Sequence, residues 1–199
     1  MGHDYYRYLS YGFLYILQET DCLAGNVQVD KMHLTLGRDI VVPEEMSPHS
    51  LAPFVQLASA MREPSSTSLD STLSIMQLSH AGRQSPRLLG GRPLLKEAVA
   101  PSAVAMQPRE GIISGAFHRI LFPTPREMTN EEISGLIEAF IRGALVAHET
   151  GFDGIQIHCS HGCGCICFRS LIELIESSVM QIYYPSFCPL RFVRAILVT

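Results

Sequence analysis

The sequence lacks several features that would assign it to a broad class of proteins. No uninterrupted apolar run reaches about 18 residues, and the first residues contain no basic segment followed by an apolar core and a small-residue cleavage site. With 15 basic and 19 acidic residues the net charge is -4, so no excess of positive charge attracts nucleic acid or an anionic membrane. We therefore predict a soluble cytoplasmic protein with neither of these partners.

Cysteine is scarce outside a single cluster. The chain has 6 cysteines, and four of them lie between positions 159 and 167, which is not the spacing of a secreted disulfide framework. This segment offers zinc a set of soft ligands, namely Cys159, His161, Cys163, Cys165 and Cys167. Alternate cysteines would crowd one face of an extended chain, and no second ligand pair occurs at conventional spacing. A small zinc-binding module is therefore the least favoured alternative, and we predict no metal.

The best-specified stretch of the sequence runs from residue 129 to residue 162. Thr129 and Glu132 have the spacing of a capping box, which predicts that a helix begins there, and Gly151 is expected to end it in a left-handed conformation. The helix carries one apolar stripe, formed by Ile133, Leu136, Ile137, Phe140, Ile141, Ala144 and Leu145. Residues 154–157 then read as a short buried strand, with His158 and His161 at its C-terminal end. A helix followed by a buried parallel strand is typical of α/β folds, which keep their chemistry at this end of the strands.

The rest of the chain predicts further elements of the same kind. Strands are expected over residues 13–17, 23–29 and 72–78, and a short helix over 51–62. Loops are expected over 39–53 and 77–86, and a long connection without a core element over 87–126. Within 178–199 a helix, a strand and an exposed apolar segment remain alternatives. In the loop over 77–86, structural roles are favoured for His80 and Arg83, with Arg83 holding the loop in place.

Several of these segments together resemble the Old Yellow Enzyme family. The resemblance rests on MQLSHAGRQSP at 76–86, APSAV at 100–104, PREMTNEEISGLIEAF at 125–140 and GFDGIQIHCSHG at 151–162, with GNVQVD at 25–30 similar to the family's fungal NADH:flavin oxidoreductase-like members. It covers roughly residues 12–162 in register. It implies an α/β fold, part of a (β/α)8 TIM barrel, that binds FMN noncovalently and reduces activated alkenes such as enones with a hydride from NAD(P)H.

The resemblance also implies roles for individual residues. Gln77 is similar to the strand-end glutamine that hydrogen-bonds the pyrimidine edge of the flavin, a role suited to an amide because it donates and accepts at once. Gly25 is similar to the small residue whose backbone approaches the ring. His158 and His161 match the family's H-x-x-H pair, whose ring donors hold a carbonyl or nitro oxygen of the substrate, and His158 also lies near the flavin. No residue is assigned as a catalytic proton donor, because Cys163 stands where the family has an aromatic residue, usually a tyrosine.

The resemblance ends after Gly162. A complete barrel needs about 250 residues, and the recognisable part corresponds to roughly strands 2 to 4. We therefore divide the chain into residues 1–162, a truncated N-terminal part of the barrel, and residues 163–199, a divergent tail. A shifted reading frame across residues 168–175 can encode Pro-Gln-Ser-Asn-Arg-Thr-Asp, which is similar to the family motif expected there. Our hypothesis for the origin of the tail is therefore a frameshift, an unspliced segment or a gene-prediction error, and the genomic sequence tests it.

Two functional hypotheses remain open beside the zinc module. The first is an FMN-dependent oxidoreductase whose activity is impaired by the missing phosphate-binding strands. The second is a non-catalytic fragment or pseudo-enzyme that self-associates through an open sheet edge. Binding of flavin by the purified chain distinguishes between them.

Overall fold

The fold is seen in a computed structural model, which describes residues 14–17, 22–35, 39–62, 73–107, 111–158 and 192–196. The strands are β1 (Leu14–Leu17), β2 (Cys22–Gln28), β3 (Ile40–Val41), β4 (Leu73–Ser79), β5 (Val99–Ala100), β6 (Arg126–Glu127), β7 (Gly154–His158) and β8 (Phe192–Ile196). The helices are α1 (Pro48–Arg62), α2 (Ile112–Leu121) and α3 (Asn130–Glu149), with one 3-10 turn over Gly82–Gln84.

The main sheet is built from strands whose spatial order follows their order in the chain. Its neighbours are β1, β2, β4, β7 and β8, with β3 added beside β2, and all pairings are parallel except that of β1 with β2. In a doubly wound fold the order would reverse at a switch point, whereas a (β/α)8 barrel keeps adjacent strands consecutive. The predicted α/β fold with part of a barrel sheet is therefore confirmed.

Helices α1 and α3 cover one face of this sheet. The apolar side chains of that face come from alternate strand positions, including Val27, Met76, Leu78, Ile155 and Ile157, and each is at most 1% exposed. They pack with buried residues of the two helices, namely Phe54, Leu57, Ala58, Met61, Ala139, Phe140, Ala144, Val146 and Ala147. Burial of this apolar surface is the dominant favourable term in folding.

The predicted limits of α3 are confirmed. The Thr129 hydroxyl accepts from the Glu132 backbone N–H, and the Glu132 carboxylate accepts from the Thr129 backbone N–H, so the capping box is complete. Arg126 donates to the same carboxylate at 2.6 Å. At the other end Gly151 has φ +83°, which favours glycine, and Phe152 folds back into the core at 4% exposure.

The predicted apolar stripe of α3 is only partly correct. Phe140 and Ala144 are fully buried, and Leu136, Ile137 and Ile141 pack against the core. Val146 and Ala147, which lie outside the predicted stripe, are fully buried as well. The C-terminal half of the helix is thus buried over more of its circumference than the N-terminal half.

Asp153 links the start of β7 to α1 and to the start of β4. Its Oδ2 accepts hydrogen bonds from the backbone N–H of Ser74 at 2.9 Å, the Ser74 hydroxyl at 3.0 Å and Arg62 Nε at 3.0 Å. Burial would raise the pKa of Asp153, but these hydrogen bonds outweigh it and hold the pKa below its usual value. Hydrogen bonds to a charged acceptor contribute about 1.5 to 3 kcal/mol each, so this contact fixes the end of the sheet that lies opposite the candidate site.

Two loop predictions are wrong in part. Residues 39–53 contain the short strand β3 and the first turn of α1, which begins at Pro48, where proline's fixed φ suits a first helical turn. Residues 87–126 contain helix α2, strand β5 and the first residue of β6. The apolar residues of α2 recur at four-residue intervals, at Ile112, Ala116 and Ile120 and at Ile113, Phe117 and Leu121. The proline- and glycine-rich context around them hid this period.

The chain after residue 158 is described only at β8. This strand pairs parallel to β7, with His158 opposite Ile196. Of the three alternatives predicted within residues 178–199, a strand is therefore observed over Phe192–Ile196. The predicted cysteine cluster and His161 lie outside the described residues. Within the described part of the chain, no helix is long and apolar enough to cross a membrane.

Candidate functional site

The sheet face opposite the helices, which we call the inner face, carries polar side chains in place of an apolar core. Asn26 of β2, Gln77 of β4 and Gln156 of β7 stand opposite one another in register, and Gln28 pairs with Ser79 two residues further along. Side chains directly paired in a sheet project to the same face, and every second residue of a strand shares that face. A row of three amides therefore crosses three parallel strands near their carboxyl ends.

Two hydrogen bonds connect this polar row. Gln77 Nε2 donates to Gln156 Oε1 at 2.5 Å, and the two residues are 8% and 3% exposed. The Ser79 hydroxyl donates to Asn26 Oδ1 at 2.7 Å. Polar groups buried this deeply are costly unless they are bonded, so the amides are held in defined orientations.

One buried acceptor of the inner face has no hydrogen-bond partner in the described part of the chain. Gln28 is 1% exposed, and its Oε1 is neither bonded nor accessible to water. An unsatisfied buried carbonyl oxygen requires an explanation, since the loss of its hydration is not offset by a hydrogen bond within the protein. It marks this end of the inner face as a place where a bound donor would be stabilising.

The residues predicted for the site are only partly brought together. Gln77 and His158 both belong to the inner face, and His158 is the last residue of β7 and half-buried. Gly25 stands beside Met76, in the row whose side chains face the helices, so it adjoins the inner face only through its backbone next to Asn26. His161 lies outside the described residues. The predicted roles of these four residues therefore stay predictions.

A second polar cluster lies just beyond the carboxyl ends of β2 and β4. The His33 Nδ1 atom is 2.6 Å from Asp30 Oδ2, and His80 Nε2 is 3.6 Å from the same oxygen. The rings of His33 and His80 lie 4.5 Å apart, and both histidines are buried, at 4% and 1% exposure. The backbone N–H of Met32 donates to the other oxygen of Asp30 at 2.8 Å.

Hydrogen bonds fix the position of the proton on His33. The backbone N–H of Val99 donates to His33 Nε2 at 3.0 Å, so the proton of a neutral His33 is on Nδ1 and is donated to Asp30. Burial by itself would raise the pKa of Asp30, but the hydrogen bonds from His33 and Met32 and the nearby ring nitrogen of His80 hold the pKa far below its usual range. Burial lowers the pKa of His80, and the nearby Asp30 carboxylate only partly offsets this.

This cluster is better suited to hydrogen bonding than to metal binding. One ligand atom from each of Asp30, His33 and His80 lies within 4.8 Å of the other two. A metal at His33 Nδ1 would need the lone pair there and would move the proton to Nε2, where it would face the N–H of Val99. The cluster instead joins the loop after β2 to the end of β4 and to β5.

Arg83 holds the rim loop in place, as predicted. Its guanidinium donates to the carbonyl oxygen of Val104 at 3.1 Å and to the Ser102 hydroxyl at 3.0 Å. His80 is likewise a buried structural residue. The loops that follow β4 and β5 are thus tied to each other beside the inner face.

Sequence reasoning missed Gln28, Gln156, Asp30 and His33. A signal for Gln156 was present in the sequence. This glutamine is flanked by two isoleucines in a short buried strand and lies two residues before His158, so the two side chains project to the same face. No comparable signal marks Asp30 and His33, since their partner His80 is about 50 residues away in the sequence and comes close only through the pairing of β2 with β4.

The chain is similar to known proteins in both sequence and fold. Residues 68–167, which are 100 of the 199 residues, match the NADH:flavin oxidoreductase / NADH oxidase family. The chain is 39% identical over 141 residues to the NADH-dependent flavin oxidoreductase iliE of Neonectria sp. (strain DH2), and 36% identical over 140 residues to the NADH-dependent flavin oxidoreductase iccE of Talaromyces variabilis. Each match covers 70% of this chain, but only 18% and 33% of the respective relatives.

The fold is also similar to that of a solved structure. Morphinone reductase superimposes with a TM-score of 0.59 at 16% sequence identity, and the match covers 86% of this chain and 47% of that one. At this identity the likeness concerns the fold alone. The chain spans about half of the solved structure's length and a third or less of the two fungal relatives.

Proposed function

Because the chain belongs to the NADH:flavin oxidoreductase / NADH oxidase family, we propose that the inner face of its sheet is part of an FMN site, with the amide of Gln77 bound to the pyrimidine edge of the flavin. The observation that carries this proposal is the row of three amides, the half-buried Asn26 and the buried Gln77 and Gln156, near the carboxyl ends of three parallel strands. Ligands of α/β barrels bind at this end of the sheet.

The amide chemistry of the inner face fits one edge of a flavin. That edge presents carbonyl oxygens and an N–H side by side, so it requires neighbouring donors and acceptors. Gln77 uses one N–H for Gln156, which leaves its second N–H and its carbonyl oxygen for a ligand. The buried, unpartnered Oε1 of Gln28 is an additional acceptor on the same face.

We further propose that the full activity of the protein is the reduction of an activated alkene such as an enone. FMN, when bound, supplies the transfer of a hydride from NAD(P)H to the substrate. The residues of this chain bind the substrate and polarise its carbonyl or nitro group. His158, with His161, donates hydrogen bonds to the carbonyl or nitro oxygen of the substrate, where negative charge develops as the β-carbon is reduced. Gly25 allows its backbone to approach the ring closely.

Titration of the purified chain with FMN tests the proposal. We expect FMN fluorescence and its visible absorption to change on binding, and the melting temperature to rise with FMN concentration. Replacing Gln77 by Leu removes two hydrogen bonds to the ring and is expected to weaken FMN binding about tenfold or more. The matched control is Gln56→Leu, the same change on the exposed side of α1.

The outcomes separate the two functional hypotheses. No absorption change and no thermal shift in the parent chain would overturn the flavin site. Equal FMN affinity of the Gln77→Leu and Gln56→Leu variants would overturn the role of Gln77. FMN binding without NAD(P)H-dependent reduction of an enone would favour the non-catalytic alternative.

The role of His158 is tested on the flavin-loaded chain. His158→Ala removes a donor for the substrate oxygen, so we expect binding of a phenolic ligand to weaken about tenfold, while FMN affinity changes much less. Spectral titration of the FMN absorption band with the phenol measures the first quantity. His49→Ala, on the exposed side of α1, is the control variant. Loss of FMN affinity together with unchanged phenol binding would reverse the assigned role.

A further inference from the structure

We propose that Gln156 is a positioning residue, which holds the Gln77 amide in the one orientation that leaves its carbonyl oxygen and second N–H for the flavin. The inference rests on the proposed FMN site. The geometry that carries it is the 2.5 Å contact from Gln77 Nε2 to Gln156 Oε1 between adjacent parallel strands.

The polarity of this contact determines the orientation of the Gln77 amide. Gln156 presents its carbonyl oxygen to Gln77, and this oxygen can only accept. Rotation of the Gln77 amide alone by 180° would bring two carbonyl oxygens together and would leave both without a donor, so a bond between the two residues would return only if the Gln156 amide rotated as well. At 8% and 3% exposure, little water reaches the pair to compensate. The nitrogen of Gln77 is therefore directed to β7 and its oxygen away from it.

The position of Gln156 is itself fixed by packing. Its neighbours Ile155 and Ile157 project to the opposite face, where they are 0% and 1% exposed among the helices α1 and α3. Strands β4 and β8 pair with β7 on its two sides. A shift of one residue would bring these isoleucines to the polar face, so the register of Gln156 against Gln77 is strongly specified.

Holding the amide increases affinity for a ligand because it removes a cost of binding. A free glutamine side chain has several rotamers and two amide orientations, and a ligand that needs one of them must order the side chain. Gln156 does this before the ligand arrives. It touches the ligand only through Gln77, so its loss matters only while Gln77 is present.

A double-mutant cycle on FMN affinity tests this dependence. We expect Gln156→Met, which keeps the length but removes the acceptor, to weaken FMN binding about tenfold. Gln156→Glu keeps an acceptor oxygen facing Gln77 whether its buried carboxyl group is charged or neutral, so it is expected to weaken FMN binding less than Gln156→Met does. Gln156→Asn remains polar but is one methylene too short, so it should weaken binding as Gln156→Met does. In the Gln77→Leu background, Gln156→Met should have no further effect on FMN affinity.

Several results would overturn the inference. If Gln156→Met and Gln156→Asn bind FMN like the parent, or if Gln156→Met weakens binding equally with and without Gln77, Gln156 does not act through Gln77 and the proposed flavin site stands. If the parent chain binds no FMN, the proposed site and this inference both fail. Urea unfolding without FMN verifies that each variant is folded. It also separates positioning from a purely structural role: a structural role would change the free energy of unfolding, but the loss of FMN affinity would then not depend on the presence of Gln77.

Discussion

Replacing Asp30 by Ala is expected to lower the free energy of unfolding by about 3 kcal/mol, because the change leaves buried donors without an acceptor. The carboxylate of Asp30 accepts from His33 Nδ1 and from the backbone N–H of Met32, at 2.6 and 2.8 Å. His33 cannot turn to another partner without losing its bond from Val99. Urea unfolding followed by circular dichroism at about pH 8, above the ordinary histidine range, measures the loss.

Asp30→Asn provides a graded comparison. An amide has one acceptor oxygen, so it can keep the bond from Met32 or the bond from His33, but not both. We expect it to cost about half as much as the alanine change. If Asp30→Ala unfolds at the same urea concentration as the parent, the cluster makes no net contribution to stability.

The same cluster predicts a loss of stability in acid. The pKa of buried His80 is lowered, so below its ordinary value of about 6.5 the unfolded chain binds more protons than the folded one. Stability is therefore complete above about pH 6.5 and falls as the pH decreases from there. Asp30, whose pKa is also lowered, adds a second loss below about pH 4. Urea midpoints measured between about pH 4 and pH 7 report the first loss of stability, which is due to His80.

Substitution of the histidines separately identifies the source of that step. His80→Gln removes the group whose pKa is lowered by burial, so its urea midpoint should depend less on pH between about 5 and 7. His49→Gln, an exposed histidine change on α1, should keep the pH dependence of the parent. Equal pH dependence in the two variants would show that His80 is not responsible.

The sequence was most informative where a local rule and a tertiary requirement agree. The capping box at Thr129 and Glu132, the glycine stop at Gly151 and the apolar strand at β4 each depend on residues a few positions apart. Such short-range signals locate helix and strand limits well. Helix α2 was not predicted, because the prolines and glycines on both sides of it obscured a weak apolar period over only ten residues.

The polar site could be predicted only in part for a different reason. Gln77 and His158 follow from a family resemblance, and neither hydrophobic period nor charge distinguishes them from ordinary strand-end residues. The contact of Gln77 with Gln156 and that of Asp30 with His80 depend on the register of strands separated by about 50 to 80 residues. Register is set by the packing of the whole sheet, which short stretches of sequence do not specify.

Replacing Gly143 by Val is expected to lower the free energy of unfolding by about 3 kcal/mol through overpacking. A Cβ at this position of α3 would lie 2.8 Å from Leu78 Cδ2, 3.0 Å from Leu78 Cδ1 and 3.3 Å from Val42 Cγ2. Leu78 is completely buried and Val42 is 2% exposed, so neither side chain can move into open space. The absence of a side chain at Gly143 thus lets α3 approach the sheet. Urea unfolding measures the change.

A second glycine of the same helix supplies the control. A Cβ at Gly135 would have no atom within 4 Å, because this residue is exposed. Gly135→Ala is therefore expected to stabilise the chain by about 0.5 to 1 kcal/mol, the usual gain for replacing a helical glycine. Gly143→Ala combines that gain with crowding against Leu78, so its effect should fall between those of Gly135→Ala and Gly143→Val. If Gly143→Ala stabilised the chain as much as Gly135→Ala, the close approach of α3 to β4 would not depend on this glycine.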